Sequence, residues 1–303
     1  MQMPLFEDAD DLAFVNVASV PQISPFRYPG GKTWIVPQLR RWLSQTLRQQ
    51  LDMRPMRPTL LIEPFAGGGS VSLTAIAERL VDHVIMVELD ADVAAVWQAM
   101  LSEEQSLWLA HEIETFEVTF ENVEQRLAST ELMPAERAFK TILCNRTNRG
   151  GILAPGAGLL KQGENGKGLL SSWYPLTLKK RIERIRQMRD RITFIQGDGL
   201  EVIQRYRNDL DTVFFIDPPY TIAGKKAGKR LYFHSELNHT HLFDLVQGLR
   251  GDFLMTYDHV KEVSILAEAH NFETRAIPMR NTHHAEMTEL LIGPNLRWLP
   301  QAR

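Results

Sequence analysis

The chain has 303 residues, 44% of them hydrophobic and 23% charged, with a formal net charge of −3. That length can bury a sizeable core, and the composition is that of a folded globular protein. No run of about eighteen apolar residues occurs, so no membrane span is expected, and a single cysteine, Cys144, excludes an internal disulfide or a multi-cysteine metal site and fits a reducing cytoplasm.

Residues 1–22 are acidic at the start, lack the basic region of a signal peptide and show no periodicity, so an extended arm is expected there. The Gly-rich stretch Pro25-Phe26-Arg27-Tyr28-Pro29-Gly30-Gly31-Lys32-Thr33 then leads into an amphipathic helix with Trp34, Ile35, Leu39, Trp42 and Leu43. A P-loop is excluded, because the spacing rule needs glycine where Phe26 stands. What remains is a glycine loop with a lysine at a helix start, which can hold a carboxylate or a phosphate.

Thr59-Leu60-Leu61-Ile62-Glu63 reads as the first strand and is followed by Pro64-Phe65-Ala66-Gly67-Gly68-Gly69-Ser70 and a helix from about Val71. Glycines between strand and helix let backbone approach a ligand. The next strand, His83 to Glu88, ends in an acid about twenty positions beyond the glycines, the spacing of a ribose-binding carboxylate. The dinucleotide pattern fails, since its third glycine would fall on Ser72. The combination suits an adenosine ligand without a pyrophosphate, with S-adenosylmethionine ahead of NAD.

Residues 91–135 read as helical scaffold, with Trp97, Met100, Leu101, Trp108 and Leu109 along one stripe. From Gln98 to Glu136 there are nine Glu against one Arg, and from Arg137 to Arg191 thirteen Lys or Arg against three acids. The basic block suggests a surface facing a polyanion, or else a solvated helix face. Within it, Asn145-Arg146-Thr147-Asn148-Arg149-Gly150-Gly151 opens a glycine-rich tract reaching Ser172. Such a tract is either a nucleic-acid contact or a flexible surface loop.

A basic helix from Leu176 precedes the strand Ile192–Gln196 and the turn Gly197-Asp198-Gly199, which would put Asp198 at a strand end, able to accept from an adenine amino group. Thr212-Val213-Phe214-Phe215-Ile216 reads as a buried parallel strand. It stops at Asp217-Pro218-Pro219-Tyr220, because consecutive prolines cannot continue a sheet ladder. A carboxylate, an unclaimed carbonyl and an aromatic ring at the ligand-binding edge of an α/β sheet suit a planar substrate with an amino group. A plain turn would carry the same residues. A basic loop with Lys225, Lys226, Lys229 and Arg230 follows, and then a helix from about Asn238 to Leu249. The strand Phe253–Tyr257, a further helix and the strands Phe272–Ile277 and Glu286–Ile292 close the chain, the last two expected to pair antiparallel. His234, His239, His241, His283 and His284 lack ligand spacing and read as surface residues. The alternation of strands and helices implies a mainly parallel sheet covered on both faces.

Taken together, Phe26-Arg27-Tyr28-Pro29-Gly30-Gly31-Lys32, Glu63-Pro64-Phe65-Ala66-Gly67-Gly68-Gly69-Ser70, Glu88 and Asp217-Pro218-Pro219-Tyr220 resemble, in order, the motifs of the adenine-specific DNA adenine methyltransferase family (the D12 class with its DPPY motif). The resemblance spans roughly residues 24–293. It implies an α/β fold with a Rossmann-like, mainly parallel seven-stranded sheet that binds S-adenosyl-L-methionine. The catalytic domain would comprise 24–110 and 185–300, with an inserted DNA-recognition region over 111–184. Tyr28, Lys32, Phe65, Gly67, Gly69, Glu88, Asp198 and Asp217 would contact the cofactor, Lys32 near its methionine carboxylate. Asp217 and the Pro218 carbonyl would accept from the target amino group and Tyr220 would stack on the flipped base. Asn145, Arg146, Asn148, Arg149, Lys161, Lys225 and Lys226 would face DNA. No metal is implied. The expected setting is cytoplasmic and nucleoid-associated, with double-stranded DNA as partner and a separately encoded restriction endonuclease as a further one. Methylation of the cytosine ring would need a thiol after a proline, and Cys144 follows Leu143. The readings that compete with this one are an inactive DNA-binding homologue and an RNA adenine methyltransferase.

Overall fold

The apolar, β-branched runs form β1 (Leu60–Glu63), β2 (His83–Glu88), β3 (Ile192–Gln196), β4 (Thr212–Ile216), β5 (Phe253–Asp258), β6 (Glu273–Arg280) and β7 (Glu286–Gly293). In a computed structural model they make one seven-stranded sheet in the order β3-β2-β1-β4-β5-β7-β6. The structure describes residues 20–27, 32–49, 58–130, 132–154, 157–161, 166–219, 237–280 and 286–300. Tyr28, Tyr220, Lys225, Lys226, His234, His283 and His284, and most of the arm at 1–22, lie outside the described residues.

β1 to β5 pair in parallel, whereas β7 runs antiparallel between β5 and β6. Side chains alternate across the sheet as strand geometry requires. Leu61, Val84, Met86, Val213, Phe215 and Leu254 enter one core cluster, while Ile62, Ile85, Val87, Phe214, Ile216 and Met255 enter the other. A sheet buried on both faces explains why β4 reads as a continuous apolar run rather than an alternating one. The anticipated Rossmann-like, mainly parallel sheet is therefore present. The order in which the strands are connected reverses between β1 and β4, so their C-terminal ends flank the crevice where such sheets bind ligands.

The second face is covered by α8 (Gly199–Tyr206), α9 (His239–Gln247) and α10 (Lys261–Ala269) through Val202, Ile203, Leu242, Phe243, Val263 and Ala267. α8 went unread in the sequence. The first face carries α1 (Val36–Gln49), α2 (Ser70–Ala77) and α3 (Ala91–Leu101). The helical run expected over 91–135 is broken into α3, α4 (Glu103–Thr115) and α5 (Phe120–Ala128). The breaks have a local cause. Ser102 accepts from the Gln105 N–H and Thr119 from the Asn122 N–H, so each is an N-cap that starts a new helix.

α6 (Pro134–Thr147) and α7 (Pro175–Met188) complete the helical layer. Phe139, Ile142, Leu143, Ile182 and Ile185 are buried in the same cluster as β2 and α3, so these helices share one continuous core with the sheet. The separated charge blocks meet here. Lys179 pairs with Glu114 at 2.6 Å, and Arg186 and Arg189 both pair with Glu103. For these residues the basic block answers the protein's own acidic block across α4 and α7. Such exposed pairs are screened by solvent and contribute little, whereas each buried apolar side chain contributes roughly 1.5–3 kcal/mol. Packing, not charge, holds the layer. Among the described residues no helix is long and apolar enough to cross a membrane.

Candidate active site

The turn after β1 is held from both sides of its backbone. The Gly67 N–H donates to Glu88 Oε2 at 3.0 Å, and Trp97 Nε1 donates to the Gly67 carbonyl at 2.9 Å. Glu88 Oε1 accepts from the Asp90 N–H at 2.9 Å, so the acid at the end of β2 is oriented by the turn it was expected to serve. Burial pushes the Glu88 carboxyl up to about 7. Gly69 has φ +61°, and a Cβ there would lie 2.3 Å from Met86 Cε and 2.8 Å from the Trp97 ring. Gly69→Ala should therefore cost about 2–4 kcal/mol, combining left-handed backbone with an overfilled core. Thermal unfolding together with equilibrium binding of S-adenosylmethionine checks this; an unchanged melting temperature would contradict it.

β3 brings Asp198 to the same edge, where it caps α8 by accepting from the Leu200 N–H at 2.8 Å and is exposed. Its neighbour Gly199 lies so close to β1 that a Cβ would come 2.2 Å from the Pro64 carbonyl oxygen. That contact fixes the distance between the two turns. Phe65 is half-buried and packs against the second core cluster.

β4 delivers Asp217 beside a buried lysine. Lys32 Nζ lies 3.2 Å from Asp217 Oδ1 and 3.1 Å from Glu289 Oε2, and Thr256 Oγ1 donates to the same Asp217 oxygen at 2.7 Å. Lys32 and Glu289 are each 5% exposed. Thus the start of the N-terminal helix, the end of β4, the middle of β5 and the antiparallel strand β7 all converge on one carboxylate. Burial, the largest single influence on Lys32, disfavours its charge, but Asp217 and Glu289 together outweigh it and raise its pKa. Among the described residues the Pro218 carbonyl accepts no hydrogen bond, as expected where a proline pair ends the ladder. The stretch Glu289-Leu290-Leu291-Ile292 also resembles the family, but sequence reasoning gave neither Glu289 nor Thr256 a role at the site. The available signal was a charged residue inside the apolar run Glu289-Leu290-Leu291-Ile292.

Several expected nucleic-acid contacts are placed elsewhere. Asn145 is buried, donating to the Arg27 and Gly151 carbonyls and accepting from the Arg27 N–H at 2.8 Å. Asn148 is buried and donates to the Ile152 carbonyl, while Arg146 is buried and donates to the Pro25 carbonyl. All three side chains face the protein, where they tie the glycine-rich segments together. Arg149 and Lys161 are exposed. An antiparallel bridge between Asn148 and Leu159 gives the tract a hairpin start. His239 is not a surface histidine: it is half-buried, with Nδ1 3.0 Å from the Tyr257 hydroxyl.

The family model for D12 class N6 adenine-specific DNA methyltransferases matches residues 28–277. The chain belongs to this family. No curated protein matches the chain. Among solved structures, the rRNA methyltransferase aviRa of Streptomyces viridochromogenes is similar at 14% identity and a TM-score of 0.39, over 95% of this chain and 93% of that one. A precorrin-6y C5,15-methyltransferase of Geobacter metallireducens is similar at 11% identity and a TM-score of 0.34, over 93% of each chain.

In this D12-class methyltransferase two carboxyls, Glu63 and Glu289, are buried beneath the crevice. Glu63, at the end of β1, accepts from the Ser72 N–H at 3.0 Å and is 3% exposed. Burial pushes its carboxyl up to about 8, and that of Glu289 up to about 7, from an ordinary 4.5. Both folded values are raised, so the folded state binds these protons more tightly than the unfolded chain. The stability they contribute is full below about 4.5 and is lost as pH rises toward 7 to 8, with a slope of up to about 1.4 kcal/mol per pH unit for each proton. Glu63→Gln keeps the acceptor for Ser72 and should flatten that decline. Urea unfolding at several pH values from 5 to 8 measures it; identical slopes in parent and variant would refute the assignment.

Proposed function

We propose that this methyltransferase transfers a methyl group from S-adenosylmethionine to the exocyclic N6 of adenine in double-stranded DNA. One observation carries the reading. Asp217 is fixed by Lys32 and Thr256 at the C-terminal end of β4, with the Pro218 carbonyl next to it, on the edge where Gly67 and Glu88 meet.

The residues present fit the donor. A carboxylate offers about four acceptor sites, more than the backbone N–H groups use on Glu88, so ribose hydroxyls can be held there. Gly67 and Gly69 give close backbone approach, Phe65 an apolar flank and Asp198 an acceptor for the adenine amino group. Tyr28 would contact the same molecule, as the resemblance of its motif implies. When bound, the donor supplies an electrophilic methyl on a sulfonium.

The chain's own residues handle the amine. An adenine amino nitrogen is a poor nucleophile because its lone pair is delocalised into the ring. Asp217 and the Pro218 carbonyl accept its two N–H bonds and favour a pyramidal nitrogen whose lone pair points outward. Positive charge grows on that nitrogen during transfer, so fixed acceptors stabilise the transition state more than the ground state. Asp217 is also the group placed to take the surplus proton. The base must leave the duplex first, at a cost of a few kcal/mol; stacking on Tyr220 would offset about 1–3 kcal/mol of that.

The test is direct. Purified protein with labelled S-adenosylmethionine is offered duplex DNA, single-stranded DNA and RNA, and the products are digested to nucleosides. N6-methyladenine in the duplex DNA digest is expected. Label in RNA alone, or in no nucleic acid, would overturn the reading.

A further inference from the structure

The segment 22–27, which leads into the loop before Lys32, carries or meets three arginines that pair with no carboxylate among the described residues. Arg27 belongs to the segment before that loop, Arg146 to the last turn of α6 and Arg181 to α7. Arg146 Nη2 donates to the Pro25 carbonyl and Arg27 Nη1 to the Ser172 hydroxyl. Arg181 donates to the Ser24 carbonyl at 2.8 Å and to Gln22 Oε1 at 3.4 Å. Every one of these partners is neutral. Among the described residues, no carboxylate lies within ion-pair distance of any of the three. Arg146 is only 5% exposed, and its Nε is buried without a hydrogen-bond partner. Burial, then Arg181 and Arg27, press its pKa down to about 9.

The contrast with the rest of α7 is informative. Lys179, Arg186 and Arg189 are met by Glu114 and Glu103 from α4, so this helix is not short of acidic neighbours where neutralisation is structural. Arg181 alone among these turns toward the segment at 22–27. Carbonyl dipoles and the C-terminus of α6 offset part of the charge, but a buried guanidinium without a counter-charge is costly. Arginine forks match phosphate oxygens, in one or two parallel hydrogen bonds each.

We infer that Arg27 and Arg181, with the buried charge of Arg146 behind them, form a phosphate site that takes a backbone phosphodiester of the polynucleotide substrate. The inference rests on the nucleic-acid reading above and adds the place where the strand is held. A phosphate there would bond side chains that hold the segment 22–27, the stretch of chain that precedes Lys32. Exposed Arg149 and Lys161, in the hairpin tract that begins just after Arg146, extend the positive charge along a strand's path.

Two measurements on the full chain test it. First, thermal unfolding is followed in inorganic phosphate and in sodium chloride of equal ionic strength. Phosphate should raise the melting temperature of the parent beyond chloride, and Arg181→Gln and Arg27→Gln should each lose that excess. Second, affinity for a short DNA duplex is measured by fluorescence anisotropy across a salt series without methyl donor. Each variant should lower the slope of log affinity against log salt by about one, the signature of one lost phosphate contact. Phosphate protection with an unchanged slope would mean that the site takes free phosphate, and would overturn the strand assignment. No protection and no change in slope would overturn the site altogether. A parent that methylates DNA while showing neither effect would remove this inference and leave the proposed function standing. Protection together with a lowered slope in a parent that methylates nothing would remove the proposed function and leave a strand-binding site standing.

Discussion

Asp217→Asn is expected to lower the rate of methyl transfer by at least about a hundredfold while the protein stays folded. Removing one preorganised group from a developing charge typically costs about 10²–10³ in rate, and here the group lost is the carboxylate that β4 delivers to the crevice edge. Asparagine keeps the shape and can still accept from Thr256 Oγ1 through its amide oxygen. Glu289 remains to pair with Lys32. Fold loss is thereby separated from lost chemistry, which Asp217→Ala would confuse. Single-turnover transfer to duplex DNA reads the chemical step, and circular dichroism with thermal unfolding reads the fold. A folded variant that transfers methyl groups as fast as the parent would remove Asp217 from the mechanism.

What made Asp217 visible in the sequence was local. A β-branched apolar run ending in a proline pair can only be a buried strand that stops, and the residue at its end must sit at the sheet edge. Gly69 and Glu88 were legible for the same reason, since strand, turn and spacing are short-range properties. The pattern also held the helix breaks inside 91–135, because Ser102 and Thr119 are capping residues followed three positions later by the N–H groups they bind. α8 was missed for want of length; eight residues give barely two turns of periodicity.

The residues that surround Asp217 were a different matter. Glu289 is 257 positions from Lys32, and only the insertion of β7 between β5 and β6 brings them together. Asn145, Arg146 and Asn148 look like exposed polar residues at the end of an apolar helix. Their inward orientation follows from Arg27, Pro25 and Ile152, whose carbonyls lack partners until the segments dock. Composition alone gave the basic block an outward role. Folding decided which of its cations meet Glu103 and Glu114 and which meet only carbonyls.

Lys32→Met provides the sharpest test of this buried network, because its effect should depend on pH in a known direction. Methionine keeps the length of the side chain and removes the charge that faces Asp217 and Glu289. Breaking a buried ion pair from one side typically costs about 3–5 kcal/mol, and here two carboxylates lose the same partner. Lys32 is what holds the Glu289 carboxyl down against burial, and the value of about 7 already includes its help. Without it, Glu289 should take up a proton at still higher pH. The loss of stability should therefore be largest near pH 8, where Glu289 would have to stay charged without its partner, and should shrink toward pH 5.5 as Glu289 becomes neutral. Adding Glu289→Gln to Lys32→Met should recover part of the stability at pH 8 and little at pH 5.5, a coupling that a double-mutant cycle measures directly. An equal loss at both pH values, with no recovery in the double variant, would mean that Lys32 matters for packing alone and that the carboxylates of β4 and β7 do not act through it.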